Sequence, residues 1–266
     1  MDIWQAIVLG IVQGVAEFLP ISSSGHLVLL HTVFGVDMED PAFFTFDIVV
    51  HIGSLLAIVI VFWGDIWALI KKPFSKMTGL LIVGSIPVVV AALLFGNIIE
   101  TYLRTGIWLA AAFVVTGFLL LFADRFTADK KESHDITYLD ALIVGCMQAM
   151  ALPPGISRSG ATITGALTRG INREAAAKFS FMLAIIAISG AGALEAVQYL
   201  TGGVSTETVT LAPMVAGFIT SFVVGYFSIK LLLELIKRCK LRYFSYYVWV
   251  LAGLILLDIV IMNRFF

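Results

Sequence analysis

Apolar residues run along this chain in long blocks, and polar residues gather in the intervals between them. Six blocks, over roughly 43–63, 77–95, 107–123, 177–200, 209–235 and 246–262, are each close to the about 20 residues that a helix needs to cross a bilayer. Two further apolar stretches, 2–30 and 138–168, are interrupted by Pro, Gly and several Ser or Thr. Non-helical backbone survives at membrane depth only where protein or a wet cavity surrounds it. Both stretches are therefore expected to be re-entrant helix–loop–helix segments that enter and leave by the same side. The pattern predicts an all-α integral membrane protein, one membrane domain over 1–266, with six transmembrane helices and two re-entrant pairs.

Composition agrees. Hydrophobic residues make up 60% and charged residues 13%, against roughly 45–50% and about 25% in soluble proteins. The net charge of −1 and the absence of a basic tract give no reason to expect a nucleic-acid partner. The N-terminal "MDIWQAIVLG" lacks the basic start of a cleavable signal peptide. Cys146 and Cys239 are distant in sequence and read as buried small hydrophobes rather than a disulfide or a metal pair.

Positive charge adds orientation. If the six spans alternate, Lys71, Lys72, Lys76, Arg125, Lys130, Lys131, Arg169, Arg173, Lys178, Lys237, Arg238, Lys240 and Arg242 share one side, with Arg104 and Arg264 on the other. The basic side is expected to be cytoplasmic. Both termini and the first re-entrant segment then face outward, and the second enters from the cytoplasm.

The chain also repeats itself. Residues 10–54 align with 145–189 without a gap, with identities that include Gly10/Gly145, Gln13/Gln148, Ser22/Ser157, Ser24/Ser159, Gly25/Gly160 and Ser54/Ser189. Three spans, an odd number, separate the copies, so the halves, approximately 1–123 and 138–266, are expected to be inverted in the membrane. Inverted repeats with interrupted helices place a polar site where the two breaks meet.

Each break carries I-S-x-S-G. The first copy adds Gln13 and Glu17, four apart on one helix face, and then Ser22, Ser23, Ser24, Gly25 and His26. The second adds Gly155, Ser157, Arg158, Ser159, Gly160 and Thr162. Ionisable groups inside a bilayer are costly and point to function. Glycine-rich loops that open onto helix N-termini suit an anion, and Arg supplies a planar fork for phosphate oxygens. Glu17 beside phosphate calls for a divalent cation or proton transfer, and His26 titrates near neutral pH. Asp47 and His51 share a face of the first span and are candidates to support the metal or His26 from behind. An Arg158–Glu17 pair serving only as glue between helices is the plainer reading.

These residues resemble the bacterial undecaprenyl-diphosphate phosphatases, the bacitracin-resistance protein family. The family's first motif, Glu or Gln, three residues, then Glu, is met by Gln13 and Glu17, and "EFLPISSSGH" continues it. Its second motif, P-G-x-S-R-S-x-x-T, is met in full from Pro154 to Thr162. "FDIVVHIGSLLAIV" and "GSIPVVVAALLFG" extend the likeness over most of the chain. Many members carry Glu where this chain has Gln13, which leaves Glu17 as the only carboxylate of the motif. The resemblance implies removal of the terminal phosphate from the C55 isoprenoid diphosphate, dependence on Mg²⁺ or Ca²⁺, and bacitracin resistance. It further implies a site open to the outer, periplasmic face of the bacterial inner membrane, where the carrier lipid is recycled for peptidoglycan synthesis.

On this reading Ser157, Arg158, Ser159 and neighbouring N–H groups hold the diphosphate with help from Ser22, Ser24, Gly25, Gly155, Gly160 and Thr162. Gln13 and Glu17 hold the cation. Ser23 is the expected nucleophile with His26 as its base or as the acid for the leaving group; His26 as the nucleophile is the rival. A transporter of the lipid phosphate is the alternative in another class. A homodimer is left open.

Overall fold

A computed structural model describes residues 1–36, 41–102, 106–126, 131–200, 211–238, 240–262 and 264–265. Eleven α-helices are present among these residues: α1 Ile3–Ala16, α2 Ser23–Phe34, α3 Pro41–Val61, α4 Trp63–Lys71, α5 Lys76–Tyr102, α6 Gly106–Ala123, α7 Tyr138–Met150, α8 Arg158–Thr168, α9 Arg173–Leu200, α10 Leu211–Arg238 and α11 Arg242–Leu257. A 3₁₀ turn, Ser133–Asp135, precedes α7, and a π-turn, Asp258–Met262, extends α11. The five helices α5, α6, α9, α10 and α11 are long and apolar enough to cross a membrane. A sixth crossing is reached if α3 and α4 count as one bent element, with 77° between them. The chain is therefore a multi-pass helical membrane protein.

The interrupted stretches fold as two short helices around a break. In the first, α1 ends at Ala16, Pro20 offers no N–H to continue it, and Ser22 caps α2 by accepting from the Gly25 N–H at 3.3 Å. In the second, α7 ends before Pro153-Pro154, and Ser157 caps α8 by accepting from the Gly160 N–H at 3.1 Å. The repeat is thus visible at the level of single hydrogen bonds. It is visible between helices too. The starts of α1 and α7 (Ile3, Tyr138), α2 and α8 (Ser23, Arg158) and α5 and α10 (Lys76, Leu211) are all 135 positions apart. Packing follows the same exchange in part: α1 lies chiefly on α10 and its counterpart α7 on α5, and α6 packs on α11, but α3 lies chiefly on α10 whereas its counterpart α9 touches α5 only lightly. The α5–α7 contact is close because Gly145 lies against the backbone of Gly84, where a Cβ would meet the carbonyl oxygen.

Four basic intervals converge on one end. Lys178 meets Asp65 at 2.7 Å, Lys131 and Arg169 meet Asp140 at 2.9 and 2.8 Å, Arg173 and Arg242 meet Asp124 at 3.5 and 3.4 Å, and Lys76 donates to the His134 carbonyl at 2.9 Å. These bonds tie the segments after α3, α6, α8 and α10 into one charged layer. The interval after the first span carries α4, on which Trp63 and Trp67 stack and Lys71 lies over the Trp67 ring. One expectation needs correction. Cys146 is exposed on the outside of α7 rather than buried, as an apolar thiol on a lipid-facing helix can be. Cys239 lies outside the described residues.

Candidate active site

The two breaks touch. A Cβ on Gly25 would lie 2.8 Å from the Gly155 Cα, and Gly155 itself has φ +94°, a conformation only glycine adopts without strain. Ser159 donates across the junction to the Leu19 carbonyl at 3.1 Å. Thr116 of α6 pins the second loop from behind: its hydroxyl donates to the Gly155 carbonyl at 2.8 Å and accepts from the Ser157 N–H at 3.0 Å.

This junction brings the charged groups together. Arg158 Nη2 donates to Glu17 Oε1 at 2.5 Å, and Nη1 reaches the Ser180 carbonyl at 3.4 Å. Ser23 Oγ donates to the other carboxylate oxygen, Oε2, at 2.6 Å, and Gln13 Nε2 donates to the same oxygen at 3.1 Å and to Ser54 at 3.2 Å. Glu17 is 7% exposed, and so many donors are what a buried carboxylate requires to stay ionised. The guanidinium has five N–H groups and spends two here, which leaves donors for an anion. The residue before the serine is strained: Ser22 has φ 71°, ψ 97°, an uncommon region for any residue with a Cβ.

His26 is elsewhere. Its Nδ1 lies 2.7 Å from the Ser22 carbonyl, so that nitrogen carries the proton, and its Nε2 lies 2.8 Å from the Tyr247 hydroxyl. The ring stacks on Tyr247 and meets Phe113 edge-on. Both nitrogens are therefore engaged away from Ser23. His51 is nearer the reacting groups: its Nε2 is 3.8 Å from Glu17 Oε2, beyond hydrogen-bond distance, while Nδ1 donates to the Asp47 carbonyl at 2.7 Å. The Asp47 carboxylate faces His31 at 3.6 Å rather than Glu17. Thr162 is fully buried and bonds Ser180 at 2.6 Å.

A cavity of about 620 Å³ opens over the junction. Glu17, Ser22, Ser23, Ser24, Asp47, His51, Ser157, Arg158 and Ser159 line its polar end, whereas Gln13, Gly25, His26, Gly155, Gly160 and Thr162 stand behind that wall. Ile48 and Ile52 of α3, Val88, Val89 and Leu93 of α5, and Ile186 and Leu194 of α9 line the apolar remainder. The arrangement suits an amphiphile with an anionic head and a hydrocarbon tail.

Sequence reasoning passed over Thr116, Ser180, Ser54, Tyr247 and Gln148 as site residues. Ser54 and Gln148 were findable, since both are identities of the repeat. Thr116 and Tyr247 stand in apolar spans with no pattern to mark them.

For a divalent cation the protein supplies little. Among the described residues no group of three His, Cys, Asp or Glu is placed to hold a metal. Glu17 offers a carboxylate, and the Gln13 carbonyl oxygen beside it is buried with no hydrogen-bond partner among the described residues. One anionic and one neutral oxygen fit a hard cation whose other ligands are phosphate oxygens, as is usual for Mg²⁺.

Fold and site together define a multi-pass membrane protein with a buried Ser–Glu–Arg cluster at the meeting of two interrupted helix pairs. The chain belongs to the family described as bacitracin resistance protein BacA, whose model matches residues 6–254. It is similar to an undecaprenyl-diphosphatase of Carboxydothermus hydrogenoformans, 43% identical over 256 residues that cover 96% of this chain and 97% of the relative. An undecaprenyl-diphosphatase 3 of Bacillus cereus is 44% identical over 97% of each chain, and an undecaprenyl-diphosphatase of Alkaliphilus metalliredigens 38% identical over 97% of this chain and 98% of its own.

Proposed function

We propose that this protein hydrolyses undecaprenyl diphosphate to undecaprenyl phosphate and inorganic phosphate. That activity returns the carrier lipid to peptidoglycan synthesis and lowers the pool that bacitracin sequesters. The observation that carries the reading is the 2.6 Å hydrogen bond from Ser23 Oγ to Glu17 Oε2, beside Arg158, at the mouth of an apolar groove.

The diphosphate lies against Arg158 and the N-termini of α2 and α8, with the isoprenoid between α3, α5 and α9. Ser23 Oγ attacks the terminal phosphorus as Glu17 Oε2 takes its proton. The bond from phosphorus to the bridging oxygen breaks, and its electron pair leaves with the lipid monophosphate. Water then attacks the phosphoserine; Ser23 Oγ departs and recovers the proton from Glu17, and both protons of the water leave with inorganic phosphate as dihydrogen phosphate. Arg158 neutralises charge on the equatorial oxygens, the main demand of phosphoryl transfer. Glu17 and Gln13 Oε1 would hold a Mg²⁺ or Ca²⁺ ion, which when bound supplies further charge neutralisation on the phosphates. His26, through the Ser22 carbonyl, positions Ser23 rather than taking its proton.

We place the protein in the bacterial inner membrane as six spans, with α3–α4 as one of them, and two re-entrant pairs in an inverted repeat. The charged layer is its cytoplasmic end. Leu93 lies 17 residues beyond Lys76 along α5, about 25 Å of helix, which supports a site open to the opposite, outer face.

The test is phosphate release from farnesyl (C15) or undecaprenyl (C55) diphosphate by the detergent-purified protein with Mg²⁺, Ca²⁺ or EDTA. Cation-dependent release that Glu17→Ala abolishes is the expected result. No release, with lipid still bound through Arg158, would make the protein a transporter instead.

A further inference from the structure

Gln148 of α7 borders the cavity with Ser85 and Val88 of α5 and with Ser157 and Arg158. It is 1% exposed, and among the described residues neither its Oε1 nor its Nε2 has a hydrogen-bond partner. Buried side-chain amides are nearly always bonded, so an unpaired one on a cavity wall is a group kept for a ligand.

Its twin in the repeat sharpens the point. Gln13 spends its amide on Glu17 and Ser54. The positions that correspond to these partners in the second copy are Leu152, which cannot accept, and Ser189, which is exposed. Gln148 therefore keeps the side chain of the repeat but neither of its partners. The two half-sites have diverged: the first holds the attacking pair Ser23 and Glu17, and the second holds Arg158 and a free amide.

A diphosphate has two phosphates for these two half-sites. On the Gln148 side the cavity wall continues into Leu152, Ile156, Val88 and Val89, all apolar. The phosphate beside that wall is the one esterified to the lipid. We infer that Gln148 binds this lipid-proximal phosphate, with Nε2–H donating to a non-bridging oxygen. This rests on the diphosphatase reading and assigns within it a specificity residue: Gln148 recognises the phosphate that stays on the product, while Ser23 faces the one that leaves. A neutral amide suits that role, because it holds the ester phosphate without drawing attack towards it.

The experiment uses the full-length protein in detergent, wild type against Gln148→Leu, with farnesyl diphosphate as substrate. Farnesyl monophosphate and orthovanadate serve as inhibitors, the first bearing the ester phosphate and the second mimicking the transferred one. The variant is expected to raise the KM for farnesyl diphosphate and the Ki of farnesyl monophosphate roughly ten- to hundred-fold, the loss of a hydrogen bond to a charged group. The Ki of orthovanadate should not move. Weaker vanadate inhibition with unchanged farnesyl monophosphate inhibition would put Gln148 on the wrong phosphate and overturn the assignment. No change in either constant, with only the unfolding temperature shifted, would make Gln148 structural and overturn it too. Gln148→Met, of matching length, replaces the Leu variant if that one does not fold. If wild-type protein releases no phosphate, the parent reading fails, and direct binding of farnesyl monophosphate to wild type and variant still decides the role of Gln148.

Discussion

Two side chains at the site predict distinct phenotypes. Arg158 bonds Glu17 and the Ser180 carbonyl with separate arms of its fork, and a lysine has one point of charge to offer in place of both. Arg158→Lys should lower kcat by about a hundredfold or more while the protein stays folded, as the loss of a preorganised donor at developing charge does. Phosphate release with a far-ultraviolet dichroism control checks it. His26 separates two mechanisms. If it holds the Ser22 carbonyl, Asn, which can donate from nearly the same point as Nδ1, should preserve most activity that Ala loses. Equal loss in His26→Asn and His26→Ala would restore the histidine as base. The strained φ of Ser22 belongs to the same device, since it turns Ser23 towards Glu17 immediately ahead of α2.

Between elements, the active geometry depends on a contact outside both motifs. Thr116 of α6 satisfies the Gly155 carbonyl and the Ser157 N–H with one hydroxyl. Thr116→Val keeps the volume and leaves two buried backbone groups unpaired, which should cost about 1–3 kcal/mol for each group not rescued by water. A lower unfolding temperature in detergent, together with a lower kcat, is the expected result; a variant as stable as wild type would show that the pin is dispensable. Thr116 also marks where sequence reading stopped. The breaks at Pro20 and Pro153-Pro154 and the approach of Glu17 to Arg158 follow from periodicity, Pro and Gly chemistry and the repeat. The orientation of His26 does not, because Tyr247 is 221 positions away and enters an aromatic run that reads as an interfacial belt. The bend at Phe62 was hidden for a related reason: "VFWGDIW" is apolar enough to pass as the end of a span, and only packing turns it by 77°.

At the scale of the whole molecule, the cavity is lined by residues set back along the helices from the charge. Asp65, Asp124 and Asp140 each bind Lys or Arg from another segment, so the basic intervals form one bonded layer rather than scattered loops. Such a layer is hard to carry through a bilayer and should fix which end stays in the cytoplasm. The cavity instead uses Val88–Leu93 of α5 and Ile186–Leu194 of α9, helices that both begin in the basic layer and run away from it. Orientation is therefore a prediction about chemistry as well as topology, because it sets which leaflet supplies the substrate. With Cys146 and Cys239 replaced by Ala, a cysteine at Ser75 should react with a membrane-impermeant maleimide only after spheroplasts are lysed. A cysteine at Asp2, ahead of α1, should react in intact spheroplasts. Labelling of both from one side would break the alternation of spans and the inverted repeat with it. Labelling with the two sides exchanged would keep the fold and turn the site to the cytoplasm, where bacitracin added outside could not compete for the lipid this enzyme consumes.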